Sequence, residues 1–146
     1  MSKKPIYKDA FNLLCGDKLG EGSFRTVYEC RLRPDLVVKV SNPSDWRDPH
    51  NTLEAQFWAD YKHHKVIGKW LAPIHFVSPD TRIILMERAM SFFDGELPVK
   101  VPACFQDVKP SNFGRLSDGR IVCVDYALTR GSAPANLVAH GWTSDT

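Results

Sequence analysis

Asp107-Val108-Lys109-Pro110-Ser111-Asn112 is the stretch on which the reading of this chain turns. Within six residues it sets a carboxylate, a cation and an amide at fixed offsets. Thirteen residues past Asn112, the run Val124-Asp125-Tyr126-Ala127-Leu128 brings a second carboxylate. Between the two, Phe113–Leu116 and Ile121–Asp125 flank Ser117-Asp118-Gly119-Arg120, and Asp-Gly at such a junction is a strong hairpin signal. A hairpin over 113–126 folds Asp125 back over Asn112. The set has a chemical logic. An acid beside an accepting hydroxyl, a cation near a transferring phosphoryl group, and an amide plus a carboxylate on Mg²⁺ are what phosphoryl transfer needs. A lone Asp-x-Lys-Pro turn is ordinarily structural; only the spaced set, together with what precedes it, points to this chemistry.

Upstream, residues 10–40 read as three short strands, around Asn12–Leu19, around Thr26–Leu32, and at Leu36–Val40. Gly20-Glu21-Gly22-Ser23-Phe24-Arg25-Thr26-Val27 lies between the first two. Glycines in such a turn let backbone N–H groups approach phosphate oxygens, although a G-x-G turn taken alone is more often structural. Lys39 sits in the alternating strand Val37-Val38-Lys39-Val40, whose apolar neighbours suggest burial. A strand lysine is commonly solvated; a buried one needs a carboxylate, and Glu54 on the following helix is available. The bland reading of Glu54 is a solvated first-turn acid favoured by the helix dipole.

That helix is expected to start at Asp48 and Pro49, after the loop Asn42-Pro43-Ser44-Asp45, and to run to about Lys65. Leu53, Phe57, Trp58 and Tyr61 give it one apolar face, with Glu54 beside it. Strands Ile74–Ser78 and Ile83–Glu87, joined by a Pro79-Asp80 turn, follow. The first 87 residues thus read strand, strand, strand, helix, strand, strand.

In this order the motifs resemble those of the protein kinase superfamily over most of residues 14–130. Asp107-x-Lys109-Pro110-x-Asn112 is similar to the kinase catalytic loop at every defining position, and its lysine resembles the serine/threonine type. Asp125-Tyr126-Ala127 resembles the metal-binding DFG segment. The resemblance implies an α+β, protein kinase-like fold: a complete five-stranded N-lobe with one helix (1–86), a hinge (87–90), a much reduced C-lobe (91–130) and a loose tail (131–146). It implies ATP as ligand and Mg²⁺ as metal, with Mn²⁺ an alternative. Gly20, Gly22 and Lys39 would hold phosphates, Glu54 would orient Lys39, and Val27 would pack on the adenine. Met86 would be the gatekeeper, and Glu87 and Ala89 would offer backbone groups to the adenine edge. Asp107 would position the acceptor hydroxyl, Lys109 would stabilise transferred charge, and Asn112 and Asp125 would bind metal.

The sequence also departs from the family. Arg25 stands at the third glycine of the glycine-rich loop, where it would stiffen the loop and set a cation near the phosphates or substrate. Phe105-Gln106 replaces the usual His-Arg before the catalytic aspartate, and Phe105 is placed to fill the histidine's space. Tyr126 and Ala127 replace Phe and Gly, restricting any flip of that segment. Ser91–Gln106 contains Pro98 and Pro102 and is too short for the usual pair of helices, and 21 residues remain after Asp125. Ala133-Pro134-Ala135 matches an Ala-Pro-Glu motif only by coincidence. A catalytically active minimal kinase and a nucleotide-binding pseudokinase that acts through a protein partner are therefore both open. A third option is a partner that completes the lower lobe over apolar surface near Phe92, Phe93 and Phe105.

Composition bounds the remainder. The chain is 43% hydrophobic and 11% aromatic, enough for a packed core. A net charge of +2 without a basic run gives no argument for nucleic acid or a membrane surface. Cys15, Cys30, Cys104 and Cys123 form no CxxC, which suits reduced thiols in a cytoplasmic, intracellular protein. No run approaches the roughly 20 apolar residues of a membrane span, and MSKKPIYKDAF lacks the apolar region of a secretory signal.

Overall fold

The computed structural model describes residues 4–42, 50–91, 98, 100–129 and 137–139. The expected helix start at Asp48 and Pro49, the run Pro43-Ser44-Asp45, Phe92, Phe93 and Ala133-Pro134-Ala135 lie outside them. The fold is α+β, with a five-stranded antiparallel sheet and few helices. Two compact units form, Met1–Asn51 with Ile74–Arg88, and Thr52–Pro73 with Ala89–Thr146. Residues 52–73, grouped by the sequence reading with the first lobe, pack with the second unit because their buried groups find partners there.

In the first unit, helix α1 (Lys4–Leu14) leads into β1 (Cys15–Glu21), β2 (Arg25–Cys30), β3 (Leu36–Ser41), β4 (Ile74–Val77) and β5 (Ile83–Glu87). The strand order is β1-β2-β3-β5-β4, antiparallel throughout. The expected strand at Asn12–Leu19 is corrected: residues 12–14 end α1 and the strand begins at Cys15. Phe11 explains the difference. Its ring meets Tyr28 edge-on at 5.1 Å, so α1 lays a narrow apolar edge, Phe11 and Leu14, against one sheet face. That face carries Cys15, Cys30, Leu36 and Val38, all buried, with Val40, Ile83 and Leu85 around them. Cys15 and Cys30 are direct cross-strand partners and free thiols. Burial, with Cys30 adding to it, pushes the Cys15 thiol up to about 11, so it stays protonated and unreactive at neutral pH.

The β4–β5 connection turns at Pro79-Asp80 as expected. The Ser78 hydroxyl, then the Arg82 N–H, hold the Asp80 carboxyl below its usual range. Its contribution is thus present above the ordinary carboxylate pKa and is lost as acid lowers the pH through the depressed value. Thr81 follows at φ 60°, a left-handed conformation that β-branched residues adopt only under strain. Thr81→Asn is expected to raise stability by roughly 0.5–1 kcal/mol, read as a shift in urea midpoint with unchanged slope.

Helix α2 (His50–Tyr61) opens with His50 and Asn51 in the first unit and continues into the second. Its buried positions are Asn51, Glu54 and Phe57, whereas Leu53, expected on the apolar face, is 43% exposed. In the second unit, a 3-10 turn at Ile67–Trp70 precedes Leu71, which bridges to Cys123. Strands β7 (Phe113–Arg115) and β8 (Ile121–Cys123) form the expected hairpin, with Gly119 at φ 89° in the turn. Only glycine takes that conformation without penalty. Strand β6 (Lys100–Pro102) pairs with β9 (Leu137–Ala139), so part of the expected loose tail is a strand. Its three apolar residues are too few for a periodic signal and are fixed by β6's backbone. Among the described residues no helix is long and apolar enough to cross a membrane.

Candidate functional site

The candidate residues divide between the two units, and each half is built by its own strands. In the first unit, register sets Gly20 opposite Val27, Val27 opposite Lys39, and Lys39 opposite Ile84. Directly opposed residues share a face, so these four form one row across four strands. Val37 and Met86, two residues along, continue the same face. It is the face opposite α1. Lys39 and Met86 are buried on it, at 4% and 0% exposure.

Gly20 and Gly22 are not required by the fold itself. Neither has positive φ; a Cβ at Gly20 would meet nothing within 4 Å, and at Gly22 only the Arg25 carbonyl at 3.5 Å. Gly114, in the second unit, is the contrast. There a Cβ would fall 2.7 Å from the Ala89 Cβ and 2.9 Å from the Met90 carbonyl oxygen, so the backbone closes only over glycine.

The turn after β1 is held from one side by Asn42. Its Nδ2 donates to the carbonyl oxygens of Gly22 (3.3 Å) and Ser23 (3.0 Å), and its backbone N–H to that of Phe24 (2.9 Å). The Thr26 hydroxyl donates to Asn42 Oδ1 at 3.1 Å. At the tip, Phe24 stacks on His50 with ring centroids 4.4 Å apart. Arg25 stiffens the turn, as expected, through a partner outside it. It is buried, at 8% exposure, and its Nη1 donates to Asn51 Oδ1 at 2.9 Å, so it ties the turn to the start of α2. Asn51 Nδ2 in turn donates to the carbonyls of Lys39 (3.2 Å) and Arg82 (3.0 Å). A guanidinium packed on the sheet in this way is a structural cross-link.

At the end of β5, Arg88 donates its N–H to the Asp35 carbonyl at 2.8 Å. Leu36 and Glu87 are therefore a non-hydrogen-bonded pair, and both Glu87 backbone groups point away from β3. The Glu87 side chain meets His75 at 3.3 Å. In the second unit Met90 and Arg115 exchange backbone hydrogen bonds, both 2.8 Å, so the neighbouring Ala89 directs its own groups away from Arg115.

The second unit assembles the motif with which the sequence reading began. Lys109 Nζ lies 3.8 Å from Asp107 Oδ2, both side chains being partly exposed. Asn112 is 6% exposed, and its Nδ2 donates to the Asp107 carbonyl at 2.8 Å. That bond turns the amide oxygen, the atom able to ligate a cation, the other way. The Asn112 carbonyl accepts from the Val124 N–H at 2.8 Å, which brings the exposed Asp125 alongside. A second stitch joins Phe105 to Thr129 across the two loops. Phe105 is 2% exposed and packs edge-on against Phe113, so it supports the loops and leaves no apolar surface open at that position. Glu54 is completely buried, which removes the solvated reading, and its Oε2 accepts the Tyr126 N–H at 2.8 Å. Among the described residues no three His, Cys, Asp or Glu converge as a metal cluster.

Asn42 and Asn51 are the residues that sequence reasoning missed as supports. An asparagine within a few residues of a strand or helix end is a weak signal, and the partners here lie 12 to 31 residues away. No protein-family model matches the chain, and no curated protein matches it.

Proposed function

We propose that the chain is a minimal protein-kinase-like, Mg·ATP-dependent phosphotransferase of the serine/threonine type. The observation that carries this reading is the pair of 2.8 Å hydrogen bonds from Asn112 to Asp107 and from Val124 to Asn112, which gather an acid, a cation, an amide and a second acid. In this reading Asp107 takes the proton of an acceptor hydroxyl as the hydroxyl oxygen attacks the γ-phosphorus and the bond to ADP breaks. Lys109 neutralises charge on the moving phosphoryl group, and Lys39 with the Gly20 and Gly22 backbone holds the other phosphates. Val27, Glu87 and Ala89 receive the base.

The residues present fit the metal. Asp125 and the turned Asn112 amide supply hard oxygen donors, and Mg²⁺ is ordinarily held by one or two carboxylates with substrate phosphates, not by an all-protein cage. Mn²⁺ suits the same donors. When bound, the metal neutralises phosphate charge. The two glycines support the reading from another side, since neither crowding nor backbone angle demands them and a ligand's close approach does. Gly20→Ala is expected to leave thermal stability unchanged while weakening Mg·ATP binding by roughly 1–3 kcal/mol, measured by calorimetry. Loss of stability without loss of binding would make Gly20 structural.

The deciding experiment is transfer of labelled γ-phosphate from Mg·ATP, with and without cell extract, by the wild type and Asp107→Asn. Transfer that disappears in the variant is the expected result; transfer that persists overturns the reading. One observation favours a second reading, a nucleotide-binding pseudokinase that acts on a protein partner: among the described residues no α-helix follows α2 to carry a substrate platform. ATP binding without transfer, together with a partner whose capture survives Asp107→Asn, is its signature.

A further inference from the structure

Tyr126 follows the proposed metal-ligating Asp125 and is held at both ends. Its N–H donates to Glu54 Oε2 and its hydroxyl to the Ala72 carbonyl, each at 2.8 Å, and the side chain is fully buried. Ala72 is tied in turn, its N–H donating to the Cys123 carbonyl at 3.1 Å. The Tyr126 ring lies 6.0 Å from Phe57 on α2, between these anchors. A phenylalanine would fill the same space without the second anchor, so the hydroxyl is what fixes this residue to the strand-like run at Leu71-Ala72. With its neighbour clamped and Val124 bonded to Asn112, Asp125 has hydrogen-bonded backbone on both sides.

We infer that Tyr126 is a positioning residue that keeps Asp125 in its metal-binding place before any ligand arrives, so that the site needs no separate activating rearrangement. The inference rests on the proposed function and assigns it a regulatory property: activity is set by supply of Mg·nucleotide and acceptor, not by an order–disorder change of residues 124–129. Loss of one hydrogen bond shifts a local equilibrium by about threefold to tenfold.

The test is amide hydrogen exchange over residues 124–129 in wild type and Tyr126→Phe, with and without Mg·ADP, alongside calorimetry of Mg·ADP binding. In the wild type, exchange should be slow and nearly insensitive to ligand. In Tyr126→Phe it should be about threefold to tenfold faster in the free protein and return toward the wild-type rate on adding Mg·ADP, with the β7–β8 amides unchanged. In steady-state assays the variant should need more Mg²⁺ for half-maximal rate while kcat at saturating Mg²⁺ is kept. Equal exchange in both proteins overturns the inference, as does faster exchange that ligand does not reverse, which would make Tyr126 only a packing residue. A wild type that binds no Mg·ADP overturns the proposed function first and this inference with it, and calorimetry on the wild type alone distinguishes that case.

Discussion

Asp107→Asn is expected to lower phosphate transfer about a thousandfold while leaving unfolding free energy within about 0.5 kcal/mol of the wild type. The separation follows from which atoms of Asp107 do what. Its backbone carbonyl anchors Asn112, and that bond survives the substitution. Its carboxylate is half exposed and meets Lys109 at 3.8 Å, an arrangement worth little to folding because water screens it. The amide keeps the shape but cannot accept a proton at neutral pH. A variant that lost activity by unfolding would show a shifted denaturation midpoint; one that lost only the base would not.

Glu54→Ala is expected to act in the opposite sense, lowering stability by about 2–4 kcal/mol and transfer with it. Glu54 is wholly buried, and removing its carboxylate leaves the Tyr126 N–H inside the protein without that acceptor, a penalty of about 1–3 kcal/mol before lost packing is added. Glu54→Gln keeps an oxygen in the same place and should recover most of the stability. Urea unfolding at constant slope reads the difference. If alanine and glutamine variants were equally stable, the hydrogen bond to Tyr126 would not be what holds Glu54.

Strands β2, β3, β4 and β5 and the 113–126 hairpin were legible because each is a short apolar run closed by strong turn residues, Pro34-Asp35, Pro79-Asp80 and Asp118-Gly119. Helix α1 was not, since only Phe11 and Leu14 of its described side chains pack, while Leu13 is 64% exposed. The burial of α2 was legible only in part. Apolar periodicity pointed to Leu53, which is exposed; the buried polar residues are Glu54, which a buried Lys39 called for, and Asn51, which water would normally claim. They are inside because Lys39, Arg82 and Tyr126 offer main-chain partners, and such partners are invisible in a local window. Likewise the gathering of Asp107, Lys109 and Asn112 was legible in their spacing, but the burial of Arg25 was not. Its place in the loop suggested stiffening, but the Asn51 side chain that does it lies 26 residues on.

The bond between Glu54 and Tyr126 joins residues 72 apart, in a unit made of two separate stretches of chain. During synthesis the five-stranded sheet has all its strands once residue 87 is made, but Glu54 has no Tyr126 amide until 39 residues later. At ribosomal speeds of about 5–20 residues per second, that interval is roughly 2–8 seconds. Through it Glu54 lacks this bond, and α2 is without one of its anchors in the second unit. The nascent chain therefore passes through a state with a finished sheet and an unfinished second unit, and that interval is when it is most open to chaperones, proteases and aggregation.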